Sequence, residues 1–314
     1  MSGPLMRIFF TFVLGIIMIF VPREKYQKKL DGLPDMAHKA DGYDLHGWEY
    51  QKIQSPVSGM THYYYHFPNA DFAAPTLIML HGFNTDGRVF LALKDLSAKF
   101  NLIAYNFPEE SPVYNGHFED FDTLLDDFCR TMRLSSICLA GNSVGGAIAL
   151  CYAANAETVK VHRLLLVSSE IFGATPDDRI RSRRMADKLL PLPDYKLYYL
   201  LDRSRALLRS LEKAGYGEDA PQEILMVRRI GWYRQILSAL RNYDGSTIAG
   251  KITCPVVAFH GAKDRVIPLE NARLVQKLIP KAYFEVIPDR GHAMIYTDGP
   301  AVAAKLLSLC GQME

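Results

Sequence analysis

A serine, an aspartate and a histidine, far apart in the sequence, each follow a predicted strand. Ser143 stands within GNSVGG, residues 141–146, between an apolar run at 135–140 and a helix-forming stretch at 147–154. The glycines permit a turn so tight that the serine hydroxyl stands clear of the backbone, at the positive end of the following helix. An alcohol held there can become a nucleophile once a base accepts its proton. The other interpretation is that Ser143 is an ordinary helix N-cap.

A base and an acid are available further along the chain. The apolar run 255–259 reads as a buried strand and leads to Asp264, and a second predicted strand at 283–287 leads to His292. A histidine can take the serine proton, and a carboxylate can orient that histidine. Two alternatives concern the acid. Asp264 could cap a helix that starts near Leu269, and Glu170, just after the predicted strand 164–169, is the second candidate.

The order serine, aspartate, histidine is that of the α/β-hydrolase superfamily, which the chain resembles from about residue 45 to its C-terminus. The resemblance implies that Ser143, Asp264 and His292 are the catalytic residues. It also implies that the backbone N–H groups of Phe83 and Val144 form the oxyanion hole. Four landmarks carry the likeness: the His81-Gly82-Phe83 turn after the predicted strand 76–80, the turn around Ser143, the Asp264 loop, and Gly291-His292.

The remaining histidines point to structural roles. His62 and His66 are four residues apart, but the segment between them alternates like a strand, so a metal site is not expected there. His81 and His260 both precede glycines at predicted strand ends, and we expect them to be structural. No cofactor and no metal are predicted.

The order of strand and helix patterns predicts an α/β fold. Strands are expected near 48–53, 62–67, 75–80 and 102–106, with helices near 89–98 and 118–132. Alternation of this kind indicates a mostly parallel sheet covered by helices on both faces. With 314 residues and 49% hydrophobic content, the chain can bury a full-size core and a small accessory subdomain.

The strand signal disappears between Glu170 and Thr253, where two helices are predicted. One runs from about Pro193 to Ala214, and the other begins at Pro221 and carries apolar residues as far as Leu240. In the superfamily that the chain resembles, an insertion at this place forms a cap over the active site. We therefore predict an N-terminal anchor at 1–38, a hydrolase core at 39–169, a helical cap at 170–250 and the rest of the core at 251–314.

The N-terminus indicates attachment to a membrane. Residues 8–21 carry no charge, and as a helix they would cover about 21 Å, a marginal span for a hydrocarbon core of about 30 Å. No small-residue cleavage site follows, so we expect retention as an anchor rather than removal as a signal peptide. The basic residues of 23–30 suit an anionic lipid surface.

We expect the bacterial inner membrane as the location of the protein. Its orientation has two interpretations: Arg7 favours a periplasmic catalytic domain, and the basic cluster after the apolar segment favours the reverse. We adopt the first. Gly15 within the apolar segment could allow a homodimer.

The leading hypothesis is a membrane-associated serine hydrolase that cleaves lipid esters, resembling membrane-anchored bacterial lipases and phospholipases A. The expected substrates are phospholipids, lysophospholipids or monoacylglycerols. The alternatives are a carbon–carbon bond hydrolase of aromatic ring-fission products, a carboxylesterase for soluble esters, and a binding module without activity.

Charge and cysteine content narrow the possible functions. A net charge of +2 argues against a nucleic-acid partner. The cysteines are odd in number, widely spaced and mainly in apolar segments, so they are expected to be buried free thiols: Cys129, Cys138, Cys151, Cys254 and Cys310.

Overall fold

The computed structural model describes residues 21–71, 73–213 and 230–312. Its centre is an eight-stranded sheet in the order β1-β2-β4-β3-β5-β6-β7-β8. The strands are β1 Glu49–Gln54, β2 Thr61–Phe67, β3 Thr76–Leu80, β4 Asn101–Asn106, β5 Ser136–Asn142, β6 Lys160–Val167, β7 Val256–Gly261 and β8 Ala282–Ile287.

The sheet is antiparallel at one edge and parallel elsewhere. β1 pairs with β2 and β2 with β4 in antiparallel register, and the pairings from β4 through β3 to β8 are parallel. Strands β3 and β7 are short apolar runs buried almost throughout, as expected for parallel strands covered on both faces. The predicted α/β fold class is confirmed.

Helices cover both faces of the sheet, and a separate apolar core lies on each face. The α-helices are α1 Arg23–Asp31, α2 Glu119–Thr131, α3 Val144–Asn155, α4 Pro176–Leu189, α5 Asp194–Lys213, α6 Ile230–Asn242, α7 Gly245–Ala249, α8 Leu269–Ala272, α9 Leu274–Leu278, α10 Met294–Thr297 and α11 Gly299–Gln312. Two 3₁₀ segments, Met36–His38 and Gly87–Ala98, complete the described elements.

The segment predicted as a helix at 89–98 is 3₁₀ rather than α-helical. Gly87–Ala98 is interrupted at Leu93, where φ is −94° and ψ is 15°. The sequence pattern does not reveal this break, because the same apolar residues could be buried by an α-helix or by a 3₁₀ helix. The buried apolar residues are Val89, Phe90, Leu91, Leu93 and Leu96.

Helices α4 to α7 fill the connection between β6 and β7. The predicted helix from Pro193 corresponds to α5, and the predicted second helix corresponds in part to α6. Its predicted start at Pro221 lies outside the described residues. The domain boundaries given above, including a cap at 170–250, stay a prediction.

Helix α1 packs against α5. The ring of Tyr26 is buried and lies edge-on to the ring of Tyr199, with centroids 5.1 Å apart. Lys29 forms an ion pair with Asp202, with Nζ 2.9 Å from Oδ2. The apolar segment of the predicted anchor, residues 8–21, lies outside the described residues except for Val21. Within the ranges that the structure describes, we find no helix with the length and apolar character needed to span a membrane.

The cysteines with described side chains are free thiols. Cys129, Cys138 and Cys151 are buried, whereas Cys254 is only partly so. The expectation of buried thiols therefore holds for three of them, and Cys310 has no described side chain.

Candidate active site

Ser143 lies on a sharp turn between β5 and α3. Its backbone has φ 55° and ψ −124°, and positive φ is costly for any residue with a Cβ, by about 1–3 kcal/mol. The glycines around Ser143 make the turn sterically possible. A Cβ at Gly145 would overlap the carbonyl oxygen of Leu80, and a Cβ at Gly141 would overlap the Cα of Gly146.

Hydrogen bonds to the backbone of Ser143 hold this strained conformation. The Ser143 N–H donates to the carbonyl oxygen of Val167 at the end of β6, 3.2 Å away. The Ser143 carbonyl oxygen accepts from the Ser169 hydroxyl at 2.7 Å and from the Gly146 N–H at 3.0 Å. The turn is thus fixed by the neighbouring strand as well as by its own helix.

The side chains of Ser143, His292 and Asp264 form a continuous hydrogen-bonded chain. His292 Nε2 lies 3.2 Å from Ser143 Oγ, and His292 Nδ1 lies 2.8 Å from Asp264 Oδ2. The Ser143 hydroxyl makes no capping bond to α3, which argues against the N-cap interpretation. This arrangement can move a proton from the serine hydroxyl to the imidazole while the carboxylate holds the ring.

Asp264 is fixed by its own loop as well as by His292. Its Oδ1 accepts the backbone N–H groups of Val266 at 2.8 Å and Ile267 at 2.9 Å. Helix α8 has no side-chain cap, so the capping role for Asp264 is wrong. Burial acts to raise the pKa of Asp264, but the hydrogen bond and charge of His292, with help from Ile267 N–H and His260, lower it overall. The carboxyl is therefore ionised at neutral pH.

His260 is a member of the site that the sequence did not reveal. Its Nε2 lies 3.4 Å from Asp264 Oδ2, and the same nitrogen is 3.0 Å from the carbonyl oxygen of Ile267, to which it donates. Burial lowers the pKa of His260, against the attraction of Asp264, so the ring is neutral at neutral pH. His260 therefore packs beside the carboxylate without adding a second cation to it.

Glu170, the second candidate for the acid, is buried but lies elsewhere. Its Oε1 is 3.7 Å from the guanidinium of Arg181, and the side-chain amide of the neighbouring Asn271 donates to Asp178 at 3.1 Å. Burial raises the pKa of Glu170, against the effects of Asn271 and Arg181. The imidazole of His292 binds Asp264 instead, so the geometry favours Asp264 as the orienting group.

The two residues expected to form the oxyanion hole lie on either side of the serine. Val144 opens helix α3 directly after Ser143 and is buried. Phe83 belongs to the turn after β3, which passes close to the nucleophile, because a Cβ at Gly82 would lie only 3.2 Å from the Cβ of Ser143. Both residues therefore lie close to Ser143, and the assignment of their N–H groups to the oxyanion hole stays a prediction.

Helix α6 covers the Phe83 turn, and no pattern in the sequence indicates this contact. Trp232 Nε1 donates to the carbonyl oxygen of Phe83 at 2.8 Å, and the ring of Tyr233 meets the ring of Phe83 edge-on at 4.9 Å. The residues of the hydrogen bond are 149 positions apart in the chain. No local pattern can predict a contact at that separation.

His62 is a buried structural histidine. Its Nε2 lies 2.9 Å from Asp127 and its Nδ1 lies 2.8 Å from the hydroxyl of Tyr105. His62 and His66 both belong to β2, as the alternating pattern predicted. Across the portion of the chain that is described, no three potential ligands come together in a way that could hold a metal ion.

Comparison with known proteins agrees with this geometry. A family model described as alpha/beta hydrolase fold matches residues 75–299. The chain is 25% identical over 232 residues to the pimeloyl-[acyl-carrier protein] methyl ester esterase of Chromobacterium violaceum, covering 70% of this chain and 87% of that protein. It is 24% identical over 254 residues to the monoacylglycerol lipase ABHD6 of Rattus norvegicus, covering 74% of each.

A solved structure of a membrane phospholipase A described as a bacterial virulence factor has the same fold. It superposes with a TM-score of 0.60 at 17% identity, covering 98% of this chain and 97% of that chain. The relatives among esterases and lipases support a carboxylic ester hydrolase. The family match extends over more than half of the chain and contains the serine turn, Asp264 and His292. The chain therefore belongs to the α/β-hydrolase fold family.

Proposed function

We propose that the protein is a membrane-associated serine hydrolase that cleaves carboxylic esters of lipids. The observation that carries the proposal is the hydrogen-bonded chain from Ser143 through His292 to Asp264, at 3.2 Å and 2.8 Å. The strained, well-supported turn at Ser143 adds to it, because backbone strain of this kind is characteristic of functional sites.

In the first half of the reaction, Ser143 Oγ attacks the ester carbonyl carbon while His292 Nε2 accepts the serine proton. The carbonyl oxygen becomes negatively charged and is held by the backbone N–H groups of Phe83 and Val144. Removal of one such donor typically costs about 3 kcal/mol of transition-state stabilisation. His292 then returns its proton to the leaving alcohol, and an acyl group remains on Ser143 as an ester.

In the second half, water replaces the alcohol. His292 Nε2 accepts a proton from the water as its oxygen attacks the acyl carbon, and the same two amides hold the new oxyanion. Collapse of the intermediate expels Ser143 Oγ, which takes the proton back, and the fatty acid leaves. Asp264 keeps its negative charge in both halves and stabilises the imidazolium that forms transiently.

The case for lipid esters rests on the N-terminus and on the relatives. An uncharged segment at 8–21 is followed by the basic helix α1, and together they suit attachment to an anionic bilayer. An enzyme held at a bilayer meets esters dissolved in it. One relative is a monoacylglycerol lipase, and a protein of the same fold is a membrane phospholipase A. Each buried methylene of an acyl chain would contribute about 0.8 kcal/mol to binding.

The test is fatty-acid release by the full-length protein from phospholipids, lysophospholipids, mono- and triacylglycerols and short soluble esters. Ser143→Ala should abolish release, because Ala has no hydroxyl to form the acyl-enzyme. Ser136→Ala, at the exposed start of the same strand, is the matched control and should keep full activity. Undiminished hydrolysis by the Ser143→Ala enzyme would refute the serine mechanism.

The class of ester from which fatty acid is released distinguishes the possible substrates. Serine-dependent release from membrane lipids supports a lipase or phospholipase, whereas activity confined to short esters would make the protein a carboxylesterase. Removal of residues 1–20 should move the protein from the membrane fraction to the soluble fraction and leave its turnover of short esters unchanged. Continued sedimentation with membranes would contradict the proposed role of this segment.

A further inference from the structure

The turn that carries the Phe83 N–H is fixed from one side by a histidine. Phe107 N–H donates to His81 Nε2 at 3.3 Å, so the proton of this imidazole is on Nδ1. That nitrogen is 3.0 Å from the carbonyl oxygen of Gly82 and donates to it. The Gly82 carbonyl and the Phe83 N–H belong to one planar peptide group, so the direction of one fixes the direction of the other.

The next peptide group is fixed from the other side by Trp232. Its indole Nε1–H donates to the carbonyl oxygen of Phe83 at 2.8 Å. The two peptide groups that flank Phe83 are therefore each held by a hydrogen bond from a buried ring, His81 on one side and Trp232 on the other. The rings also contact each other, with centroids 5.1 Å apart.

The indole of Trp232 is held firmly in place. Its side chain has no exposed surface, and its ring stacks on that of Phe107 with centroids 5.7 Å apart and an interplanar angle of 22°. One turn later in α6, Gln235 donates to Asp120 at 2.8 Å and accepts from the Gly116 N–H at 2.9 Å. Helix α6 thus presents the indole N–H from a fixed position.

We propose that Trp232 is a positioning residue for catalysis. By holding the peptide group after Phe83, it restricts rotation of the Phe83 backbone and so keeps the Phe83 N–H, in the peptide group that His81 holds, directed at the oxyanion. The inference rests on the proposed function, since it assigns Phe83 N–H to the oxyanion hole. It adds a role for the segment between β6 and β7. Through Trp232 on α6, this segment supports the catalytic machinery. The alternative is that Trp232 contributes only to core packing.

The test is to remove the hydrogen bond and keep the ring. Trp232→Phe keeps an aromatic side chain but has no N–H donor. Trp48→Phe is the matched control, because the sequence has two tryptophans and Trp48 Nε1 donates to a backbone carbonyl, Leu91, at 3.2 Å on the other face of the sheet. In the Trp48→Phe background, replacement of Trp232 by benzothienylalanine, an isostere with sulfur in place of N–H, preserves the shape of the indole.

The measurements compare the effect of each variant on transition-state stabilisation with its effect on ground-state binding. For Trp232→Phe and the isostere we expect kcat/KM for a soluble ester to fall about tenfold, in line with the loss of one buried hydrogen bond that acts on the oxyanion. The Ki of a trifluoromethyl ketone, which forms a tetrahedral adduct with the serine, should rise by a similar factor. The Ki of an ether analogue that forms no adduct should stay within about twofold, and Trp48→Phe should match the wild type.

Two outcomes would overturn the inference. One is a benzothienylalanine enzyme with wild-type kcat/KM and wild-type affinity for the ketone. The other is an equal loss of affinity for the ketone and the ether, which indicates a general packing role. Both are distinct from failure of the proposed function, which would appear as an active Ser143→Ala enzyme.

Discussion

Charge at the candidate site is concentrated on one buried carboxylate. Asp264 is almost fully buried, and its two oxygens accept from His292 and from two backbone N–H groups. Such bonds stabilise the ionised form, so the carboxylate can balance a positive charge on the imidazole. The nearby His260 is kept neutral by burial. The site therefore pairs one anion with one imidazole that can accept the serine proton.

Exchange of the acid for an amide should separate the two candidates for this role. Asp264→Asn removes the charge and favours the wrong tautomer of His292, so we expect kcat to fall by about 10³- to 10⁴-fold. Glu170→Gln, the matched control, should keep kcat within a few-fold of wild type, because Glu170 lies beside Arg181, whereas His292 is bonded to Asp264. Steady-state kinetics on a soluble ester measures both. A large loss in Glu170→Gln with an active Asp264→Asn would reverse the assignment.

The sequence predicted the three candidate catalytic residues that follow strands, but not the contacts that His260 and Trp232 make around them. Ser143, Asp264 and His292 each follow an apolar run, and parallel strands bring such positions to one edge of the sheet. His260 also ends an apolar run, but this placement alone does not show that it contacts Asp264, and Trp232 has no comparable signal. The proximity of His260 to Asp264 depends on the path of one loop, and Trp232 reaches Phe83 from a helix 149 positions away.

The geometry of the site depends most on the turn from β5 to α3. Three segments of the backbone approach one another closely there. The start of α3 packs so tightly against the end of β3 that Gly145 has no room for a side chain beside Leu80. This close approach places the nucleophile next to the turn that carries Phe83. Glycines, and not the reacting residues themselves, thus leave the space that this close approach requires.

Gly145→Ala should therefore damage both stability and activity. The added methyl group overlaps the carbonyl oxygen of Leu80, and backbone atoms cannot move aside cheaply. We expect a loss of about 1–3 kcal/mol in the free energy of unfolding and at least a tenfold lower kcat, because Ser143 is displaced. Thermal denaturation and ester hydrolysis measure the two effects.

Gly250→Ala is the control for this substitution. A Cβ at Gly250 meets nothing within 4 Å, and φ there is −67°, which alanine adopts readily. Its stability should equal or slightly exceed that of the wild type. A Gly145→Ala protein as stable and active as Gly250→Ala would show that the close contact at Leu80 is not a constraint.

Strands were easier to predict than helices, for a physical reason. Buried parallel strands need continuous apolar runs, and these stand out between turn residues in β3, β5 and β7. The segment Gly87–Ala98 has an apolar pattern too, but its 3₁₀ geometry depends on packing against the sheet. Helix α4 was not predicted, because it has many charged residues and few buried ones.

At the scale of the whole molecule, contacts join the N-terminal helix, the segment between β6 and β7, and the catalytic strand ends. Helix α1 packs on α5 through Tyr26 and Lys29, and α6 reaches the Phe83 turn through Trp232. Helix α1 is thus attached to the same segment between β6 and β7 that contributes Trp232 to the Phe83 turn.

A buried carboxyl outside the catalytic residues should make the stability of the protein depend on pH. Asp122 on α2 accepts from Asn155 at 3.0 Å and lies 3.6 Å from the sulfur of Cys151, both on α3. Burial raises the pKa of Asp122 from 3.8 to about 7, despite the opposing hydrogen bonds of Asn155 and Cys151. Between these two values the folded protein binds a proton that the unfolded chain has released. Stability should therefore fall as the pH rises from about 4 to about 7.

Asp122→Asn should remove this dependence, because the amide keeps an acceptor for Asn155 and cannot ionise. We expect the wild type to lose thermal stability between pH 5 and pH 8 and the variant to lose much less. Each unit by which the pKa of Asp122 differs between the folded and unfolded states corresponds to about 1.4 kcal/mol in the free energy of unfolding. Asp95→Asn, at an exposed position, controls for the change in net charge and should follow the wild type. If the Asp122→Asn curve ran parallel to that of the wild type over this range, the contact between α2 and α3 would not depend on a protonated Asp122.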